Sequence, residues 1–218
     1  MTTRLPRFAA AVVVTAAMLV PASSAGAATY YCDGVAANIV GSASGDLLPG
    51  TVWDDSIVGL AGADTIDGHE GRDRICGHAG NDRIDTGSGR NLVWGGDGDD
   101  KVFGGYEDDV IHGGAGADYV EGGWELLLYN GGNDVIYGDS GNDFLDAQHG
   151  NDTVYGGDDA DTLWSGDGDD KLYGDAGNDT LVAHRGKDYL NGGTGYDTCE
   201  VKGGDDTVVN CEVIKVVS

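Results

Sequence analysis

The chain has 218 residues, of which 40 are glycine and only three phenylalanine, so it lacks the large apolar volume that an ordinary packed core needs. Acids outnumber bases 38 to 12, for a formal net charge of -26. That balance excludes a phosphate backbone as partner, and it makes the chain repel itself unless cations are present.

Residues 1–28 differ from all that follows. Arg4 and Arg7 precede an apolar run from Phe8 to Val20, and the small-residue stretch Pro21 to Ala28 comes next. This order predicts a secretory signal peptide, cleaved after Ala27 or Ala28. The apolar run is too short to span a bilayer as a helix, and no later segment is a candidate span. Removing residues 1–28 deletes two of the 12 bases and no acid, so the mature charge is 10 minus 38, or -28. The protein is expected to be secreted and extracellular.

Residues 29–40 form an N-terminal cap that carries Cys32. The other cysteines are Cys76, Cys199 and Cys211, one pair near each end. An even number in an oxidising compartment predicts two disulfides. Of the three connectivities, Cys32 with Cys76 and Cys199 with Cys211 is favoured, because an elongated array keeps its ends apart. A zinc site is disfavoured by the absence of any CxxC spacing.

From residue 41 to 209 the chain repeats one nine-residue unit, clearest at Gly95 to Phe103. Glycine stands at positions one, two and four, aspartate at six and an aliphatic residue at eight. The 18 copies begin at Gly41, Gly50, Gly59, Gly68, Gly77, Thr86, Gly95, Gly104 and Gly113, and then at Tyr129, Gly138, Ala147, Gly156, Ser165, Gly174, Ala183, Gly192 and Val201. Between the two sets lies an irregular segment, 122–128. Residues 210–218 form a C-terminal cap. A fixed period of this kind outranks every other sequence signal.

The unit has a simple physical reading. Glycine takes positive φ without steric cost, so positions one to six make a tight turn. Positions seven to nine suit a short strand with position eight inward. Two units make one coil, with turns on opposite edges and each strand lying parallel to its counterpart in the next coil. The expected fold is therefore all-β, a right-handed parallel β-roll, present as a monomer. One inward aliphatic residue per unit is too little burial to order the chain alone.

Stacking places the aspartates of position six in two columns of like charge, which require a counterion. Carboxylate and carbonyl oxygens in adjacent turns suit Ca2+, which accepts six to eight oxygen ligands at flexible geometry. The segment 122–128 reads as a unit shortened by two residues that falls in one column, and the intact column comprises Asp64, Asp82, Asp100, Asp118, Asp134, Asp152, Asp170, Asp188 and Asp206. Its position-four glycines are Gly62, Gly80, Gly98, Gly116, Gly132, Gly150, Gly168, Gly186 and Gly204. The other column then holds Asp143, Asp161, Asp179 and Asp197, with Asp55 and Asp73 at its start. It is weakened by Trp53, Glu107 and Asp159 at position four and Asn91 at position six.

These residues resemble the repeats-in-toxin (RTX) nonapeptide family over 41–209, and the resemblance implies a calcium-loaded parallel β-roll with several bound ions. The opening Tyr31-Cys32-Asp33-Gly34 and the ending with Cys199 and Cys211 resemble small secreted calcium-binding proteins of actinomycete-type bacteria. RTX toxins and proteases leave the cell by a C-terminal signal. An N-terminal one here argues against toxin activity.

Other motifs fall into the same register. Gly138-Asp139-Ser140-Gly141 looks like a serine-protease nucleophile sequence but occupies positions one to four of a copy. His69-Glu70 lacks the second histidine of a zinc protease. The histidines 69, 78, 112, 149 and 184 are expected to be solvated. A β-helix enzyme such as a polysaccharide lyase would need an acid and base pair outside the register, and none is present, so no catalytic role is expected. Tyr137, Tyr155 and Tyr173 share position nine and predict an exposed aromatic ladder. It either covers the strands or serves an adhesion or matrix protein as a contact for cell-surface or matrix glycan. Trp124 and Leu126 to Leu128 are expected to form a bulge or a contact patch.

Overall fold

The computed structural model of the protein describes residues 28–123, 131–202 and 205–217. The expected signal peptide, apart from Ala28, lies outside the described residues, as do Trp124 and Leu126 to Leu128.

Every regular element among the described residues is a strand. Two parallel sheets run the length of the molecule. One proceeds through ten strands from Leu47–Thr51 to Val213–Val216, and the other through ten from Ile39–Val40 to Thr207–Val209, with Thr194–Gly195 alongside Lys171–Gly177. The chain alternates between the sheets, so each strand of the roll pairs with its counterpart one coil further on. Ile57 lies beside Ile75, and Ile66 beside Ile84, each partner standing two repeat units further along the chain. The expected β-roll, with two units to the coil, is the observed fold. At the N-terminus Tyr31–Cys32 and Val35–Ala36 form an antiparallel pair.

Position eight builds the core. Ile57, Ile75, Val93, Ile111 and Ile136 from one sheet, and Ile66, Ile84, Val102, Val120 and Leu145 from the other, are almost completely buried in one cluster. The Cys32–Cys76 disulfide ties the N-terminal pair of strands to the roll, and Cys199–Cys211 ties the last strands together. Both bridges are the ones favoured on sequence grounds.

The register breaks once, and differently from the sequence expectation. Val120 pairs with Leu145 and Ile111 with Ile136, each partner lying seven positions beyond the place that two units would reach. Gly123 pairs with Gly105, which places Gly122 and Gly123 at positions one and two of a regular turn. The additional stretch is therefore 124–130, inserted between positions two and three, and it lengthens a turn rather than replacing a unit. The physical reason is the strand pairing: Gly123 still lies beside Gly105, so the turn begins normally and the extra residues come after its position two.

Candidate metal centres

Each turn directs its position-six aspartate inward, where its two oxygens do different things. Oδ1 accepts the main-chain N–H of the equivalent residue one coil earlier. Asp82 Oδ1 accepts from Asp64 at 2.8 Å, Asp100 from Asp82 at 2.7 Å and Asp118 from Asp100 at 2.8 Å. The ladder crosses the insertion without a gap, because Asp118 N–H donates to Asp143 Oδ1 and Asp109 N–H to Asp134 Oδ1, both at 2.8 Å.

These bonds correct the column assignment. The first column is Asp46, Asp64, Asp82, Asp100, Asp118, Asp143, Asp161, Asp179 and Asp197. The second is Asp55, Asp73, Asn91, Asp109, Asp134, Asp152, Asp170, Asp188 and Asp206. Asp134, Asp152, Asp170, Asp188 and Asp206 thus do not stack on Asp118, nor do Asp143, Asp161, Asp179 and Asp197 belong with Asp55 and Asp73. The added loop shifts every later turn to the opposite edge. Asp159 moves to the first column, while Trp53, Asn91 and Glu107 stay in the second.

The other oxygen, Oδ2, is left over. In 13 of these aspartates it is buried without a hydrogen-bond partner: Asp64, Asp73, Asp82, Asp100, Asp109, Asp118, Asp134, Asp143, Asp152, Asp161, Asp170, Asp179 and Asp197. A buried carboxylate oxygen without a partner carries a desolvation cost that a bound cation removes. The opening turns differ: Asp46 Oδ2 receives the N–H and hydroxyl of Ser42, and Asp55 Oδ2 those of Thr51.

Beside the orphaned oxygen lies a cradle that glycine keeps open. A methyl group on Gly59 would stand 2.5 Å from Asp64 Oδ2 and 2.7 Å from the carbonyl oxygen of Gly77. On Gly156 it would meet Asp161 Oδ2 at 2.5 Å and the Gly174 carbonyl at 2.7 Å. Those separations approach calcium–oxygen distances of about 2.3–2.6 Å. Position-four glycines shape the rest of the turn: Gly62, Gly80, Gly98, Gly116, Gly150 and Gly168 all have φ between 110° and 153°. Gly132, two residues after the insertion, is not in that region. No three carboxylate, thiol or imidazole groups converge at one point among the described residues. A cation here would rest on single carboxylates and main-chain carbonyls, a donor set of hard oxygens suited to Ca2+.

Burial raises the proton affinity of these carboxyls. Asp109 is pushed up to about 9, with Asp134 and Glu107 adding to the effect and the Asn91 N–H bond opposing it. Asp143 and Asp152 rise to about 8, and Asp100, Asp134, Asp161 and Asp170 to about 7, burial being the first cause in each case. Asp109, absent from the sequence-based ligand set, is among the most deeply placed of them. Its phase at position six was the available signal.

The outer face of one sheet carries the expected ladder, and it is longer than expected. Tyr137, Tyr155 and Tyr173 stack at 4.9 Å, within 10° of parallel. His112 adds a rung 4.5 Å from Tyr137, and Trp94 another 5.9 Å from His112. His112 also meets Asp139 at 3.2 Å, so it is a packed rung rather than a solvated side chain.

Among the described residues no helix is long and apolar enough to cross a membrane. A search of curated proteins finds no match. A family model described as RTX calcium-binding nonapeptide repeat (4 copies) matches residues 54–84, 77–105, 94–125, 129–163 and 164–199. The repeat spacing, the parallel roll and this match agree, and the chain belongs to the RTX calcium-binding nonapeptide repeat family.

Proposed function

We propose that this calcium-binding repeat protein is a secreted, non-catalytic β-roll whose folding is completed by several Ca2+ ions held between stacked turns. The observation that carries the reading is the row of buried, unpartnered Oδ2 atoms, which in the glycine-led turns border the same space as a main-chain carbonyl of the next coil. The ligands are position-six aspartates with an unpartnered Oδ2, drawn from both columns, together with carbonyls of the glycine turns. Ca2+ supplies the positive charge and oxygen coordination that the turns lack. The chain holds the carboxylates in register through the Oδ1 ladder and excludes water from them. The two disulfides accord with an extracellular location.

Circular dichroism during a calcium titration tests this. Chelated protein at low ionic strength is expected to lose its β signal and its protease resistance, and calcium is expected to restore both cooperatively. Midpoints on the order of 10⁻⁴ to 10⁻³ M are expected, as for extracellular modules. Full β structure in chelator, or independent submicromolar sites, would sink the reading. The adhesion alternative gains little from the ladder. A sugar ring stacks on an aromatic face, and here neighbouring rings at 4.5–4.9 Å cover one another's faces and leave only edges outward.

A further inference from the structure

The two edges of the roll differ at position one. On the first edge it is glycine in every copy: Gly41, Gly59, Gly77, Gly95, Gly113, Gly138, Gly156, Gly174 and Gly192. On the second edge four turns carry a small, fully buried side chain there, Thr86, Ala147, Ser165 and Ala183, and the last copy begins with Val201.

The four small side chains stand where the first edge keeps its cradle. The methyl groups of Ala147 and Ala183 join the aliphatic core cluster. Ser165 Oγ reaches Asp188 Oδ2 at 3.4 Å and accepts the His184 N–H at 2.9 Å, so its hydroxyl occupies the space beside the carboxylate of the next coil, the place an ion would take. Thr86 Oγ1 donates to the Gly104 carbonyl, the counterpart of the Gly77 carbonyl that borders the Gly59 cradle on the first edge. The same turn has Asn91 in place of aspartate, so a hydroxyl plug and a neutral amide coincide. Elsewhere on the second edge the cradle is open: a methyl on Gly68 would lie 2.8 Å from Asp73 Oδ2, and one on Gly122 would lie 2.8 Å from Asp134 Oδ2.

We propose that the roll is loaded asymmetrically: calcium occupies the glycine-lined turns from Gly59 onward, and Thr86, Ala147, Ser165 and Ala183 close the four turns they begin. This rests on the calcium reading above. The position-one side chain then determines, turn by turn, whether an ion enters.

The test counts ions per chain by equilibrium dialysis at saturating calcium on the full disulfide-bonded protein, with the β signal confirmed for each variant. Ala147→Gly and Ala183→Gly, made separately, are each expected to add one ion. Thr86→Gly combined with Asn91→Asp is expected to add another, and Gly156→Ala to remove one. Should one glycine variant fail to fold, the other still decides. Unchanged counts in the folded glycine variants overturn the asymmetry while leaving calcium binding intact. A wild-type chain that binds no calcium overturns both readings.

Discussion

Asp100 shows how much one buried residue does in this roll. Oδ1 satisfies the Asp82 N–H at 2.7 Å, and Oδ2 is the unpartnered oxygen available to a cation. Asp100→Ala removes both, leaving a buried donor unpaired at a cost of about 1–3 kcal/mol and deleting a ligand. Asp100→Asn separates the two roles, because Asn91 already accepts the Asp73 N–H through its own Oδ1 at 2.9 Å. The asparagine variant is expected to fold in high calcium but with a calcium midpoint raised severalfold, and the alanine variant to be both weaker and less stable. Asn91→Ala is expected to lose stability without moving the midpoint as far. Parallel calcium titrations of the three variants check this order, and equal midpoints would contradict it.

Among the elements, the lengthened turn is the most informative. A methyl on Gly123 would lie 3.9 Å from Gly131 Cα, so the insertion leaves and re-enters the roll at nearly the same place. Joining Gly123 directly to Gly131 would produce Gly-Gly-Gly-Gly-Asn-Asp-Val-Ile-Tyr, an ordinary copy. Deleting residues 124–130 is therefore expected to keep the fold and to shift stability by no more than about 1 kcal/mol, in line with the weak dependence of loop closure on length. A thermal unfolding curve with a lost or broadened transition would show that the loop does more. The same turn marks where the sequence could be read and where it could not. Position eight and its period disclose the strands, the core and the coil length, because side-chain parity leaves one solution for Ile57, Ile66 and their successors. Parity cannot say whether an odd stretch shortens one turn or lengthens another. Only the pairing of Gly105 with Gly123 decides that, and with it the partners of Asp118 and the rungs His112 and Trp94. The disulfides were legible from an even cysteine number in an exported chain, and their connectivity from the elongation that keeps the two pairs apart.

At the scale of the molecule, the buried carboxyls link protons to calcium. A carboxyl whose folded pKa lies above its unfolded value of about 4 binds protons more tightly when folded. The stability it contributes is fully present below that unfolded value and is lost as pH rises through the folded one. With Asp73, Asp118 and Asp179 near 6, Asp100, Asp134, Asp161 and Asp170 near 7, Asp143 and Asp152 near 8 and Asp109 near 9, the loss spans roughly pH 5 to 9. Chelated protein is thus expected to gain β structure on acidification from pH 9 to 5, while the calcium midpoint rises as protons compete for the same oxygens. Circular dichroism across that range, with and without chelator, measures both, and a chelated protein that unfolds further on acidification would refute the linkage. The Oδ1 ladder also has a direction: every buried N–H of position six is satisfied by the coil that follows it. At the C-terminal end Glu212 takes over, accepting the Asp197 N–H at 2.7 Å through Oε2. Glu212→Ala is accordingly expected to fray the last coil first, visible as faster amide exchange at Asp197 than at Asp100. A chain emerging from its N-terminus always has an unfinished rung at its growing end, so each coil is completed only when the next one forms, and a roll cut short between coils carries its own mark of incompleteness.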